Sequence, residues 1–279
     1  MLANQYFRAA KISERVTRIY GPSEVLMYLV EGAERAMLID TGCGLGDLRA
    51  FVEQLTDKPY SVLLTHGHVD HAMGAPAFDD VYISPLDREI FNEHREIHVR
   101  KGYLQLTMRE QYDSIDERDY VPAGSFDKYK PLRPGDCFDL GGMRLEVCIG
   151  AGHTPGMVTI LLVEERALLL GDACNPFTFL FDEHAHGVTT YMKMLKALRQ
   201  DTQGRYDTVY LSHGDAAYPV DMIDSVISVC EDILAGRADD IPYTFMEYQA
   251  FIAKAVNSEM GRRDGGLGNI VYSKEKVHC

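Results

Sequence analysis

Long apolar runs are missing from this chain of 279 residues, and no stretch approaches the roughly 20 apolar residues that span a bilayer. The most apolar region, 157–171, is interrupted by Glu164-Glu165-Arg166. The opening residues, Met1 to Arg8, have no basic segment followed by an apolar one, which a secretory signal requires. We therefore expect a protein that does not enter membranes and works in the cytoplasm.

Cysteine spacings typical of metal sites or disulfides are also missing. The six cysteines lie at positions 43, 137, 148, 174, 230 and 279, with no C-x-x-C pair. The spacing gives no sign of a zinc ribbon or of a disulfide framework. Cys43 and Cys174 follow Asp40 and Asp172 closely, but a buried cysteine is more often a small hydrophobe than a nucleophile. We expect reduced thiols.

Basic residues are few. Lys and Arg together number 28 against 42 Asp and Glu, so the formal net charge is -14. A surface of this sign repels phosphate backbones, and we expect no binding of long nucleic acids. With 46% hydrophobic and 25% charged residues the chain is an ordinary globular protein. A small-molecule substrate is the expected partner, and self-association into a homo-oligomer stays open.

Apolar periodicity predicts an alternation of strands and helices. Predicted strands cover residues 15–20, 25–30, 35–40, 61–65, 81–84, 143–149, 157–163, 167–170 and 208–212. Predicted helices cover residues 72–78, 85 to about 101, a stretch that starts at 189 or 190, 219–235 and 243–256. The length fits one domain over 1–279. It has an insertion around 85–135 that we expect to face the substrate, with a plain surface excursion as the alternative, and a helical C-terminal segment, 219–279.

Metal-ligand residue types are concentrated after the predicted strand 61–65. The stretch Thr65 to His71 reads T-H-G-H-V-D-H. In extended backbone, side chains two apart point the same way, so His66 and His68 can reach one ion. Asp70 and His71 follow directly, and can reach a second ion nearby.

Other candidate ligands follow other predicted strands. Asp40, His153, Asp172 and His213 each lie at or near a carboxyl end, where loops of an α/β sheet converge. Imidazole and carboxylate groups without thiolate suit a catalytic zinc or a related first-row ion. If one carboxylate bridges, the set can hold two ions, and two-metal sites of this kind hydrolyse substrates.

Together these motifs resemble the metallo-β-lactamase superfamily of metallohydrolases. The resemblance runs in order through I-D-T-G at 39–42, H-x-H-x-D-H at 66–71, G-H-T-P-G at 152–156, G-D at 171–172 and S-H-G at 212–214. It implies an α/β fold, a four-layer αβ/βα sandwich of two mixed β-sheets with helices on the outer faces. It also implies a dinuclear metal centre at one edge.

The family pattern assigns roles residue by residue. It makes His66, His68 and His153 ligands of the first metal, gives Asp70, His71 and His213 to the second, and makes Asp172 the bridge. Asp40 matches the aspartate that orients a ligating imidazole through its other nitrogen. Asp70 and Asp172 are the expected catalytic residues, Asp70 as a proton acceptor. The expected cofactors are two divalent ions, Zn²⁺ first, with Fe or Mn as alternatives.

The resemblance implies a hydrolase that uses a metal-bridging hydroxide on a small-molecule ester, lactone or thioester. One alternative is a phosphodiesterase acting on a small nucleotide-type substrate, and another is a mononuclear-iron, persulfide-type oxygenase. His68 stands where diiron flavoprotein modules carry a carboxylate, which disfavours electron transfer. Asn175 stands where a lactonase-like tyrosine would fall, so neither the lactonases nor the thioesterases of the glyoxalase II type can be assumed.

Further residues invite more than one interpretation. His94 and His98 are four apart in a predicted helix, and we expect a solvated helix face rather than a metal site. Aromatic residues such as Tyr103, Phe177 and Phe179 are expected in the core, with the wall of an apolar substrate pocket as the alternative. The sequence identifies no substrate-binding residue.

Overall fold

The structure is a computed structural model that describes residues 2–214 and 217–278, so Cys279 lies outside it. The chain divides into two units. The first unit contains residues 2–146 and 212–214, and the second contains residues 147–211 and 217–278. The single domain expected over 1–279 stays a prediction.

The first unit is built on a mixed sheet. Its strands are β1 (Leu2–Ala3), β2 (Arg8–Lys11), β3 (Val16–Tyr20), β4 (Leu26–Glu31), β5 (Ala36–Ile39), β6 (Tyr60–Leu63), β7 (Val81–Ile83) and β8 (Lys130–Pro131), side by side in this order. The strands β1 to β5 pair antiparallel, and β5 to β8 pair parallel. The predicted strands in this region are confirmed, and the carboxyl ends of β5, β6 and β7 lie at one edge.

Helices of the first unit follow these strands. They are α1 (Leu48–Val52), α2 (Val69–Ala72), α3 (Arg88–His94) and α4 (Ile97–Met108). The apolar side of α1, with Phe51 and Val52, joins the buried cluster under Leu38 and Val62. The helix expected over 72–78 is wrong: α2 ends at Ala72 and a 3₁₀ turn follows, because Pro76 cannot donate a helical hydrogen bond.

The insertion expected around 85–135 is partly helical and returns to the sheet. The single helix expected from Pro85 to about Lys101 is instead α3 and α4, and Lys130–Pro131 pairs with β7. Arg100 of α4 is buried and donates to the backbone carbonyls of Cys43, Gly44 and Val121. These bonds fix the insertion to the loop that follows β5. That the insertion faces the substrate stays a prediction.

A hairpin joins the two units along the chain. It consists of β9 (Cys137–Asp139) and β10 (Arg144–Ile149). The second unit continues with β11 (Val158–Leu162), β12 (Ala167–Leu169), β13 (Thr178–Leu180), α5 (Val188–Thr202), β14 (Thr208–Tyr210), α6 (Met222–Leu234), β15 (Ile241–Phe245), β16 (Tyr248–Ile252) and β17 (Ile270–Tyr272).

The strands of the second unit form two groups. β11 pairs antiparallel with β12, and β12 pairs parallel with β14. β13 pairs parallel with β17, and β15 to β17 form an antiparallel meander. The apolar sides of α5 and α6 pack together, with Leu195 and Val226 fully buried in a cluster that also takes in Leu168 and Ile270. The predicted strands at 143–149, 157–163 and 167–170 are confirmed, as is the helix near 219–235.

The helix expected over 243–256 is wrong, and 219–279 is therefore not a helical segment throughout. Ile241, Tyr243 and Phe245 alternate with Pro242 and Thr244, which is a two-residue period, and the segment forms the hairpin β15–β16. Aromatic and β-branched residues fit such a pleated surface better than a helix. Over 2–214 and 217–278, every helix is too short or too polar to cross a bilayer.

Candidate metal centre

The loop that joins β6 to α2 carries the central part of the predicted site. His66 and His68 lie in its extended part, with ring centroids 4.8 Å apart, as their spacing predicts. Gly67 separates them, and its N–H donates to Asp87 Oδ2 at 2.9 Å. A Cβ at Gly67 would lie 3.0 Å from the carbonyl oxygen of Asp87, so the close approach favours glycine. Asp70 then falls in the first turn of α2.

Asp40 orients the imidazole of His71. It follows β5 at φ 63°, a left-handed conformation that Asp tolerates better than most residues, and is buried. Its Oδ1 accepts from Thr65 N at 2.7 Å, and its Oδ2 lies 2.9 Å from His71 Nδ1. A carboxylate only accepts, so Nδ1 carries the proton and Nε2 keeps its lone pair. This is the tautomer that a metal ligand needs.

Asp70, His71 and His213 converge within the first unit. Asp70 Oδ2 lies 3.6 Å from His71 Nε2 and 3.5 Å from His213 Nε2. His213 is held because Ser212 accepts from Leu26 N at 2.8 Å and Val25 bridges to His213. One oxygen and two imidazole nitrogens, all within 4.8 Å of one another, fit a divalent first-row ion.

The second unit positions the other two candidate ligands. His153 is buried, and its Nδ1 donates to the carbonyl oxygen of Phe179 at 2.8 Å, which leaves Nε2 as the available ligand atom. Asp172 follows β12 and is also buried, with Oδ1 3.4 Å from Asn175 Nδ2. Gly152 must be small because a Cβ there would lie 2.4 Å from the ring of Tyr191.

Neither cysteine near the predicted ligands is an activated thiol. Burial raises the pKa of Cys43 and of Cys174 far above the ordinary thiol range. Both side chains are buried, and both belong to apolar clusters. They pack as small hydrophobes, as the sequence leads us to expect.

Comparison with known families decides the classification. A model of the metallo-β-lactamase superfamily matches residues 20–213. The chain belongs to the metallo-β-lactamase superfamily. A solved metallo-β-lactamase from Pontibacter korlensis aligns over 80% of this chain and 97% of that one, with a TM-score of 0.55 and 19% identity. The α/β metallo-β-lactamase fold expected from the motifs is confirmed.

Curated relatives of this superfamily member match a shorter part of the chain, at somewhat higher identity. An uncharacterised protein of Mycobacterium tuberculosis is 29% identical over 140 residues, which is 46% of this chain and 55% of that protein. The human acyl-coenzyme A thioesterase MBLAC2 is 25% identical over 166 residues, which is 52% of this chain and 57% of that protein. The chain thus spans about half the length of the curated relatives it matches.

Two side chains of this metallo-β-lactamase-superfamily site make contacts that the sequence does not predict. Tyr103 of α4 donates its hydroxyl to Asp70 Oδ2 at 2.7 Å. His94, expected on a solvated helix face, accepts at Nδ1 from Val69 N at 2.9 Å, and its ring stacks on His68 with centroids 5.0 Å apart. His94 ends α3 and His98 belongs to α4, so the pair does not share one helix. Only the side-by-side placement of α2, α3 and α4 brings these groups together.

We expect Tyr103→Phe to weaken zinc binding by about tenfold, because outer hydrogen bonds of this kind orient metal ligands. The hydroxyl is lost while the ring and its packing stay. Zinc affinity is measured by competition with a chromophoric chelator, together with the urea unfolding midpoint. Tyr60→Phe, at the far end of β6, is the control. Equal affinities in wild type and Tyr103→Phe would show that the bond to Asp70 has no positioning role.

Proposed function

We propose that the protein is a metal-dependent hydrolase that uses two divalent ions on a small-molecule ester, lactone or thioester. The observation that carries the proposal is the convergence of Asp70, His71 and His213, with Asp40 fixing the tautomer of His71. A cluster of carboxylates alone would not identify a metal site. Here two imidazoles and a carboxylate converge on one point, and the imidazole of His71 is already oriented as a ligand.

The family pattern supplies the rest of the ligand set. We assign His66, His68 and His153 to one ion, Asp70, His71 and His213 to the other, and Asp172 to both. In support, His153 is held with Nδ1 as a donor, the same arrangement as His71. When bound, such ions lower the pKa of water toward neutrality and polarise a substrate carbonyl.

The side chains of this chain then have separate tasks. Asp40 keeps the proton of His71 on Nδ1 throughout turnover. Asp70 accepts a proton as the attacking water loses it, and Tyr103 holds the Oδ2 of Asp70 in place. The relative MBLAC2 is named an acyl-coenzyme A thioesterase, which makes thioesters the first substrates to test.

Metal content and substrate preference test this function together. The protein is purified without chelator, supplied with zinc and assayed on a thioester, a p-nitrophenyl ester, a lactone and bis-p-nitrophenyl phosphate. We expect about two ions per chain, carbonyl hydrolysis that exceeds phosphodiester hydrolysis, and loss of activity with a chelator. His213→Ala should lose one ion, whereas His98→Ala, on an exposed position of α4, should lose none.

The outcomes separate the alternatives. Fewer than one ion per chain after zinc is supplied would contradict the proposal. A preference for the phosphodiester would favour the nucleotide-type phosphodiesterase. One iron per chain with oxygen consumption on a persulfide would favour the oxygenase.

A further inference from the structure

The sheet formed by β13, β15, β16 and β17 carries apolar side chains on both faces. One face, with Leu180, Ile270 and Tyr272, belongs to the buried cluster that contains α5 and α6. The pairing register places residues of the opposite parity on the other face. We call this second surface the aromatic face, and it comprises Phe177, Phe179, Phe181, Tyr243, Phe245 and Tyr248.

The rings of the aromatic face form one continuous surface. Phe179 lies at the centre, with its centroid 4.9 Å from Phe181, 5.2 Å from Phe245 and 6.1 Å from Tyr243. Tyr248 extends the surface beyond Phe181 at 5.4 Å. Apart from Phe181, these residues are only half-buried, although the smaller residues between them, such as Ala250, are buried. The sheet thus leaves ring surface open that a fully packed core would cover.

The aromatic face begins at the candidate ligands of the second unit. His153 Nδ1 donates to the carbonyl of Phe179, so this ligand is bonded directly to β13, an edge strand of the sheet. Asp172 is connected through Asn175, whose Nδ2 lies 3.4 Å from Asp172 Oδ1 and whose Oδ1 accepts from Phe177 N at 2.7 Å. The backbone of the aromatic face therefore adjoins both candidate ligands of the second unit.

Charged side chains lie at the border of the aromatic face. Glu183 accepts from the hydroxyl of Tyr248 at 2.8 Å, and Glu247 is exposed at the turn between β15 and β16. Lys276 Nζ donates to the backbone carbonyl of Glu183 at 2.9 Å, so this border carries charge of both signs, and the rings between the charged groups favour an uncharged group. Ring faces bind alkyl and aryl groups through burial of apolar area.

We propose that the aromatic face binds the apolar acyl group of the substrate, an uncharged alkyl or aryl chain, and so sets which acyl compounds are hydrolysed. The inference rests on the proposed hydrolysis of a carbonyl compound. It names Phe179 and Phe245 as residues that determine specificity, and it predicts poor turnover of acetyl compounds relative to longer homologues.

A chain-length series tests this specificity. We expect kcat/KM of zinc-supplied protein to rise about twofold per methylene from acetyl to octanoyl thioester, about sixtyfold over the six methylenes, because each methylene is partly buried. In Phe245→Ala the ratio of octanoyl to acetyl turnover should fall at least about fivefold. The control is Phe251→Ala. Phe251 is also half-buried and lies on β16, but it faces the other side of the sheet. The ratio of octanoyl to acetyl turnover in this variant should match that of wild type.

Binding of product acids separates this inference from the proposed function. Octanoate should bind about tenfold tighter than acetate by calorimetry, and Phe245→Ala should remove the difference. If no carbonyl substrate is hydrolysed yet octanoate binding depends on Phe245, the proposed function fails and the aromatic face stands as a binding site. Equal turnover along the series with equal binding of both acids would overturn the inference alone. A wild-type dimer that Phe245→Ala dissociates in sedimentation would also overturn it, because a second copy would then cover the face.

Discussion

Asp172→Asn is expected to lower kcat/KM for carbonyl hydrolysis on the order of 10³-fold and to reduce the metal content from about two ions per chain to about one. The family pattern makes Asp172 the ligand shared by both ions, so its negative charge offsets part of the repulsion between two cations. An amide oxygen is neutral and donates less electron density. Elemental analysis and initial rates at saturating zinc measure the two effects.

The substitution should leave the fold intact, which makes the result interpretable. Asp172 accepts from Asn175 through Oδ1, and the amide oxygen of the substituted side chain would still accept that bond. Asp201→Asn is the matched control, since Asp201 is exposed in the last turn of α5. It should keep both ions and full turnover. Undiminished turnover in Asp172→Asn would remove Asp172 from the catalytic set.

Local sequence patterns predict the part of the site that local structure builds. Two short signals agree around Thr65 to His71, an apolar strand and an extended H-x-H, whereas the sequence predicts the turn of helix that carries Asp70 further along, over 72–78. The position of Asp40 also follows from a local pattern, because the apolar run before it forms β5. Asp40 comes directly after this strand, in a left-handed conformation. In such places the side-chain direction follows from the backbone period alone.

Other contacts of the site depend on tertiary packing, which local sequence patterns do not predict. Tyr103 reaches Asp70 only because α4 lies beside α2, and no spacing between positions 70 and 103 indicates this.

The wrong prediction of a helix over 243–256 has another origin. The run Y-T-F-M-E-Y-Q-A-F-I matches helical and strand periods about equally over so few residues, and pairing with β17 favours the strand.

Asp40→Asn should weaken zinc binding by about 10- to 100-fold and lower the free energy of unfolding of the metal-free protein by about 1–3 kcal/mol. Asparagine tolerates the left-handed backbone of Asp40, so the change isolates the carboxylate from backbone strain. Its amide must face either Thr65 N or His71 Nδ1, and both are donors in wild type. One buried donor therefore meets another, unless His71 moves its proton to Nε2.

The tautomer of His71 distinguishes this mechanism from general destabilisation. Nitrogen-15 NMR of the metal-free protein should place the proton on Nδ1 in wild type and shift it toward Nε2 in Asp40→Asn. Asp80→Asn is the control, because Asp80 accepts from Ser61 Oγ at 2.7 Å and from Lys130 rather than from an imidazole. It should leave the His71 tautomer and zinc affinity unchanged. If Asp40→Asn loses stability but keeps the wild-type His71 tautomer and zinc affinity, Asp40 supports only the fold. The assignment of His71 as a pre-oriented ligand would then fail.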